Sequence, residues 1–410
     1  MRQAVKHLVL TVLIPMFILP PGCTAEIQDL AIVRSMGLDL LPNGEIEITV
    51  SIVNPGAEQS GSQFTVSPIS TSVAIMSQTG KNTVEAMRRL SFESSGRLYF
   101  SHCETLLLNR RLIAERSLGE ILDLLERNYD FRPTLIPIIT DDSIARLFAV
   151  PSPLDPSPAD RINRLIREQH LYSQFPRKNL IALIRSLQTP GQDPYLPELC
   201  QEPNPSAAAI SDQEAAHGNL AIPNTKLRLC GTTIFSNDRP VASLNPDQTK
   251  ALLMMLGEAQ HSIIIQFPSP VDGADVSLDI FRVHNALDVE LFAGKPSYTI
   301  SMELHARLME LHGRLDPTDP LQYAALEEAG ANHVRELARQ TVDICLLHSS
   351  DVLSFGRSLE RKNPQQWQRL SSNWQTILPT LPVKIAVRVH LVGTGFTTSN
   401  PNQIPYEFNR

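Results

Sequence analysis

The one long uncharged apolar run in the chain, residues 8–20 (LVLTVLIPMFILP), is 13 residues long, whereas a spanning helix needs about 20. A chain that cannot cross a bilayer with that segment must bury its other apolar residues in folded domains. Pro15 and Pro20 inside the run, and Pro21 after it, also speak against a buried N-terminal helix. Arg2 and Lys6 in front, the apolar centre, and Gly22 before Cys23 form the three regions of a secretory signal peptide, so removal of residues 1–22 is expected. A small residue followed at once by cysteine also ends a bacterial lipoprotein signal, in which the thiol takes diacylglycerol and the freed amine is acylated. Pro20 stands where such a signal usually has an aliphatic residue, with Leu19 one place early. Each buried methylene contributes about 0.8 kcal/mol, so two or three acyl chains hold a protein that one holds only marginally.

With 410 residues the chain has room for two or three domains. Its formal charge of −7, with no run of Lys or Arg, leaves no electrostatic footprint for nucleic-acid phosphates. Beyond Cys23 stand Cys103, Cys200, Cys230 and Cys345, which allow three disulfide pairings in an exported protein. Among pairings, Cys200 and Cys230 stand out because they flank one loop-like segment, and four free thiols weigh at least as heavily in a chain with cores this large.

Strands alternating with helices point to an α/β or α+β domain in the first half of the chain. Residues 31–33 and 46–53 are β-branched runs joined across Leu41-Pro42-Asn43-Gly44, which predicts a hairpin. Asn82 or Thr83 caps a helix with Val84, Met87 and Leu90 on one face. A strand over residues 98–108, a helix bearing Leu118, Ile121, Leu122 and Leu125, and a strand over 135–139 follow, and Pro137 assigns the last to a sheet edge. Four prolines between 151 and 158 form a stiff connector. Two helices come next, marked by Ile162, Leu165 and Ile166 and by Leu180, Leu183, Ile184 and Leu187. The N-terminal domain is thus assigned to 23–190, with mixed sheets, and 191–225 to a surface loop.

A C-terminal domain over 226–398 is predicted to open with a hairpin across residues 236–239 and a helix from Asp247. Strands over 276–283, 287–292 and 298–308 then form an antiparallel sheet. A long helix starts at Asp319-Pro320 and sets Leu326, Gly330, Val334, Leu337, Thr341 and Ile344 on the stripe that packs on the sheet. The final strand alternates cleanly, with Val383, Ile385, Val387, Val389 and Leu391 on one face, and 399–410 is a tail.

No chemistry-bearing motif stands out. The 11 histidines include no pair spaced four apart around a glutamate, and neither phosphate-binding glycine loops nor a nucleophile elbow occurs. His102-Cys103-Glu104 is the densest group of possible ligands, and a structural role for His102 outweighs a ligand role. Asp351 reads as a cap or turn residue, Phe355 as core and Gly356 as a helix stop. No cofactor is called for.

Four stretches nevertheless carry a family resemblance. The first is Cys23, then Glu26 to Val33, Met36-Gly37-Leu38-Asp39 and Val50 to Pro55. The second runs from Gly80 through Thr83, Glu85 and Ala86 to Gly96-Arg97-Leu98-Tyr99-Phe100-Ser101-His102 and Leu125-Glu126-Arg127. The third is Gly231-Thr232-Thr233-Ile234-Phe235 with Leu244. The fourth is Ser350 to Gly356, with Trp374, the alternating strand and Gly393-Thr394-Gly395. In this order they resemble the Ger(x)C lipoproteins, the C subunits of spore germinant receptors.

The resemblance implies an elongated, multi-domain α+β fold and a non-enzymatic subunit, lipid-anchored at Cys23 on the outer face of the spore inner membrane. It would work with A-type and B-type membrane subunits to couple nutrient sensing to germination. His102, Asp351, Phe355 and Gly356 are the internal positions singled out for structural or partner contacts. A solute-binding lipoprotein is the alternative; it would show two similar α/β lobes around a polar cleft.

Overall fold

The computed structural model describes residues 29–53, 73–204 and 224–392, with 153 and 260 excepted. Cys23, the signal segment and residues 393–410 lie outside the described residues.

The chain opens with the predicted hairpin, β1 (Leu30–Leu40) and β2 (Ile46–Val53), to which β3 (Val73–Gly80) adds antiparallel. Helix α1 (Thr83–Glu93) is capped by Asn82, whose side chain accepts from the Glu85 N–H. It buries Thr83, Ala86 and Leu90; Val84, expected on the packed face, is 57% exposed. The expected strand over 98–108 is broken. A short β4 (Arg97–Tyr99) pairs with the start of β1, a turn covers Phe100–His102, and β5 (Thr105–Asn109) begins afterwards.

Helices α2 (Arg110–Arg116) and α3 (Leu118–Arg127) lead to β6 (Ile136–Thr140), and α3 buries the four apolar residues expected of it. Strands β1, β5 and β6 are parallel. In β5 and β6 successive residues serve opposite faces: Leu106 and Leu108 enter one core and Leu107 the other, as do Ile139 and Ile138. Pro137 does not mark an edge. Strand β6 sits between β5 and β7, and its pairing with β7 falls past the proline, at Ile139 and Glu198, where no proline N–H is needed.

Four helices follow, α4 (Ile144–Ala149), α5 (Pro158–Arg167), α6 (Gln169–Tyr172) and α7 (Leu180–Gln188). The next segment corrects the loop expected over 191–225. Residues Tyr195–Pro203 form β7, which pairs along its length with β8 (Thr225–Ser236), and β9 (Arg239–Leu244) completes a nine-stranded sheet. The hairpin β8–β9 therefore belongs to the first sheet. Cys200 and Cys230 are disulfide-bonded across β7 and β8, while Cys103 and Cys345 are free and buried.

Asn245 starts α8 (Pro246–Leu256) with a reciprocal capping box through Gln248. A second sheet follows in the order β10 (Ile263–Pro268), β11 (Asp275–Phe292), β12 (Lys295–Leu311) and β13 (Val383–Leu391). The two strands expected over 276–292 are one, because residues 284–286 pair on with β12 and the Asn285 side chain is taken up by the Met255 carbonyl rather than by a turn. Ala293 and Gly294, both at positive φ (51° and 79°), make the two-residue turn that joins β11 to β12.

Helix α9 (Pro320–Leu347), capped by Asp319, buries Leu326, Gly330, Val334 and Thr341 as read from the sequence. The short helices α10 (Phe355–Lys362), α11 (Pro364–Leu370) and α12 (Trp374–Ile377) come before β13. This crossover returns the chain so that β13 runs parallel to β12; the second sheet is mixed, with only its first three strands antiparallel. Gly356 lies in the first turn of α10 and does not stop a helix.

Closing a loop across the 30-residue separation of Cys200 and Cys230 removes unfolded-state entropy worth about 3–4 kcal/mol. Replacing both with Ala should lower unfolding stability in urea by that order; an unchanged urea midpoint would show that the β7–β8 ladder holds without the bridge.

Candidate functional site

Three of the four internal residues singled out by sequence meet at one point. Asp351 follows α9, and its carboxylate accepts the N–H groups of Phe355 (2.7 Å) and Gly356 (2.8 Å) and the Trp374 Nε1–H (2.8 Å). Its own N–H donates to Asp193 Oδ2 (2.7 Å), and the Asp193 N–H donates back to the Asp351 carbonyl (3.0 Å). Asp193 Oδ1 takes the N–H of Asn237 in the β8–β9 turn (2.8 Å). These bonds tie the segment after α9 to the entrance of β7 and the end of β8.

The packing around this knot admits no side chain at Gly356. A Cβ there would stand 2.6 Å from the Gly191 Cα and 2.7 Å from the Trp367 ring. Phe355 is fully buried, its ring 4.6 Å from that of Tyr298, and the Tyr298 hydroxyl donates to the Phe355 carbonyl (2.8 Å). The Asp351 carboxylate thus takes the first two N–H groups of α10, and Phe355 lies in the core. Asp193, Gly191 and Asn237 were not legible, since Asp193 and Asp351 are 158 residues apart.

His102 is elsewhere. It is exposed at the end of the Phe100–His102 turn, at the entrance to β5, beside a polar cavity of about 260 Å³. Glu104, Arg132, Asn163, Arg167 and Arg177 help to line that cavity. Glu104 pairs with Arg34 (3.1 Å) and Arg167 (3.0 Å), and Arg34 also holds Asp160 (2.9 Å). Beneath, Asn163 Oδ1 accepts from the Thr105 hydroxyl (2.9 Å) and the Ser35 hydroxyl (3.3 Å). Cys103 is buried and its thiol is pushed up to about 12 by burial, as is that of Cys345, so neither is a reactive thiolate. Among the described residues no three His, Cys, Asp or Glu side chains are placed to hold a metal ion, and no helix is long and apolar enough to cross a membrane.

Two family profiles cover most of the chain. Residues 24–200 match the spore germination protein N-terminal domain, and residues 230–395 match the spore germination B3/GerAC-like C-terminal domain. The chain belongs to the Ger(x)C family. Another protein similar to this Ger(x)C chain is spore germination protein KC of Bacillus subtilis (strain 168). It is 24% identical over 409 residues, covering 98% of both chains. The crystal structure of the GerBC protein superposes with a TM-score of 0.55 at 14% identity, covering 90% of this chain and all of that one, and shows the same Ger(x)C fold.

Burial pushes the Asp351 carboxyl up to about 8, against the pull of its three N–H donors. An unfolded aspartate titrates near ~3.9. Between those values the folded chain keeps a proton that the unfolded chain has released, so this contribution is full at the acid end and is lost as pH rises. Asp351→Asn, which turns an amide N–H toward groups that donate, should cost about 1–3 kcal/mol. In urea unfolding the wild-type advantage should narrow between about pH 5 and pH 8; an advantage that widens there would show an ionised carboxylate in the folded state.

Proposed function

We propose that this chain is the lipid-anchored, non-enzymatic C subunit of a spore germinant receptor, which couples nutrient sensing to germination. The observation that carries the reading is end-to-end similarity: the match to spore germination protein KC spans 98% of each chain, with both domain profiles in order. A relationship confined to one domain would support the fold and little else.

The internal chemistry agrees with a scaffold. The Asp351 carboxylate is committed to three donors inside the protein, and the two free thiols are buried and held protonated. Cys23 supplies the membrane attachment, as the acceptor of diacylglycerol and of an N-acyl chain. The subunit then stands on the outer face of the spore inner membrane beside A-type and B-type membrane subunits.

Cys23→Ala should move the protein from the membrane pellet to the soluble fraction after a high-salt wash; a variant that still pelleted would remove the lipid as the anchor. Tagged protein purified from spore membranes should bring down an A-type and a B-type subunit. Recovery of the chain without either, under conditions that keep other receptors whole, would refute the assembly.

A further inference from the structure

The cavity beside His102 is lined by Arg132, Arg167 and Arg177, in a chain whose net charge is −7. Guanidinium groups gathered around one cavity repel one another unless negative charge is brought among them. Arg167 is compensated by Glu104 at 3.0 Å. Among the described residues the guanidinium groups of Arg132 and Arg177 have neither a hydrogen-bond nor an ion-pair partner.

A second and independent feature lies in the wall of the same cavity. Asn163 is 1% exposed and is held through Oδ1 by Thr105 and Ser35, yet its Nδ2 donates to nothing among the described residues. An amide nitrogen left so costs free energy unless an acceptor reaches it. Glu104, the carboxylate of the lining, is taken up by Arg34 and Arg167. The charged groups left over are therefore the Arg132 and Arg177 guanidiniums, with the Asn163 amide nitrogen as a donor and Ser101, His102 and Thr134 as further polar lining. The volume of about 260 Å³ far exceeds the roughly 30 Å³ of a single water.

We propose that this cavity binds a small anion, a carboxylate or phosphate compound of a few heavy atoms. Arg132 and Arg177 take its charge through paired N–H donors, and the Asn163 Nδ2 donates to it from the wall. Arg132 and Arg177 are exposed and Asn163 is buried, so the charge of the ligand is met on the solvent side of the cavity. The proposal goes beyond the receptor-subunit reading and does not depend on it.

Full-chain protein would be titrated calorimetrically with inorganic phosphate and, separately, with succinate, at an ionic strength held constant with sodium chloride. Thermal unfolding would be followed in the same solutions. Saturable binding and a rise in Tm are expected with at least one of the two, and which one acts distinguishes phosphate from carboxylate as the recognised group. Arg132→Ala and Arg177→Ala should each weaken binding by about tenfold or more, while Tm in chloride alone stays at the wild-type value because neither side chain holds a partner in the fold. Absence of saturable binding to both anions by the wild-type protein would overturn the proposal whatever the variants do. So would equal binding by the Arg132→Ala/Arg177→Ala double variant.

Discussion

The period-two alternation of side chains in β7 and β8 is the constraint on which the rest depends. Tyr195 and Ile234 enter the large core built by the second sheet and α9, whereas their neighbours Leu196 and Phe235 enter the core of the first sheet. One strand pair therefore carries the wall of two cores. A shift of register by one residue would exchange these sets and expose both. The Cys200–Cys230 bridge fixes that register covalently within the same pair.

The Asp351 knot completes this arrangement on the backbone side. Its donors come from the start of α10 and from Trp374, and Asp193 and Asn237 join it from the two ends of the shared strands. Each polar group is satisfied by another segment, so the knot holds four segments only when all are in place. Close approach of Gly191 and Gly356 makes the same demand sterically.

Much of this was legible where the signal is local. The apolar residues of α3 and α9 recur at helical spacing, and β13 alternates, so burial follows from neighbours a few residues away. Strand β7 was not legible, because Pro197, Glu198, Gln201 and Glu202 give it the composition of a loop. Glu198 is tolerated there because Arg110, Thr233 and Ser243 all bond its carboxylate. The direction of β13 and the partners of Asp351 are set by contacts distant in sequence. The cavity beside His102 draws Arg132, Asn163 and Arg177 from three separate segments, and no spacing rule joins them.

Strand β1 is hydrogen-bonded on both sides, to β2 along one edge and to β4 and β5 along the other. A peripheral strand can be peeled away one bond at a time. A pull on the chain upstream of Leu30 instead loads two ladders in shear, and the bonds must yield together. Mechanical force entering at this end is spread into the middle of the nine-stranded sheet, which makes the N-terminal side a firm point of attachment for whatever tension the chain bears.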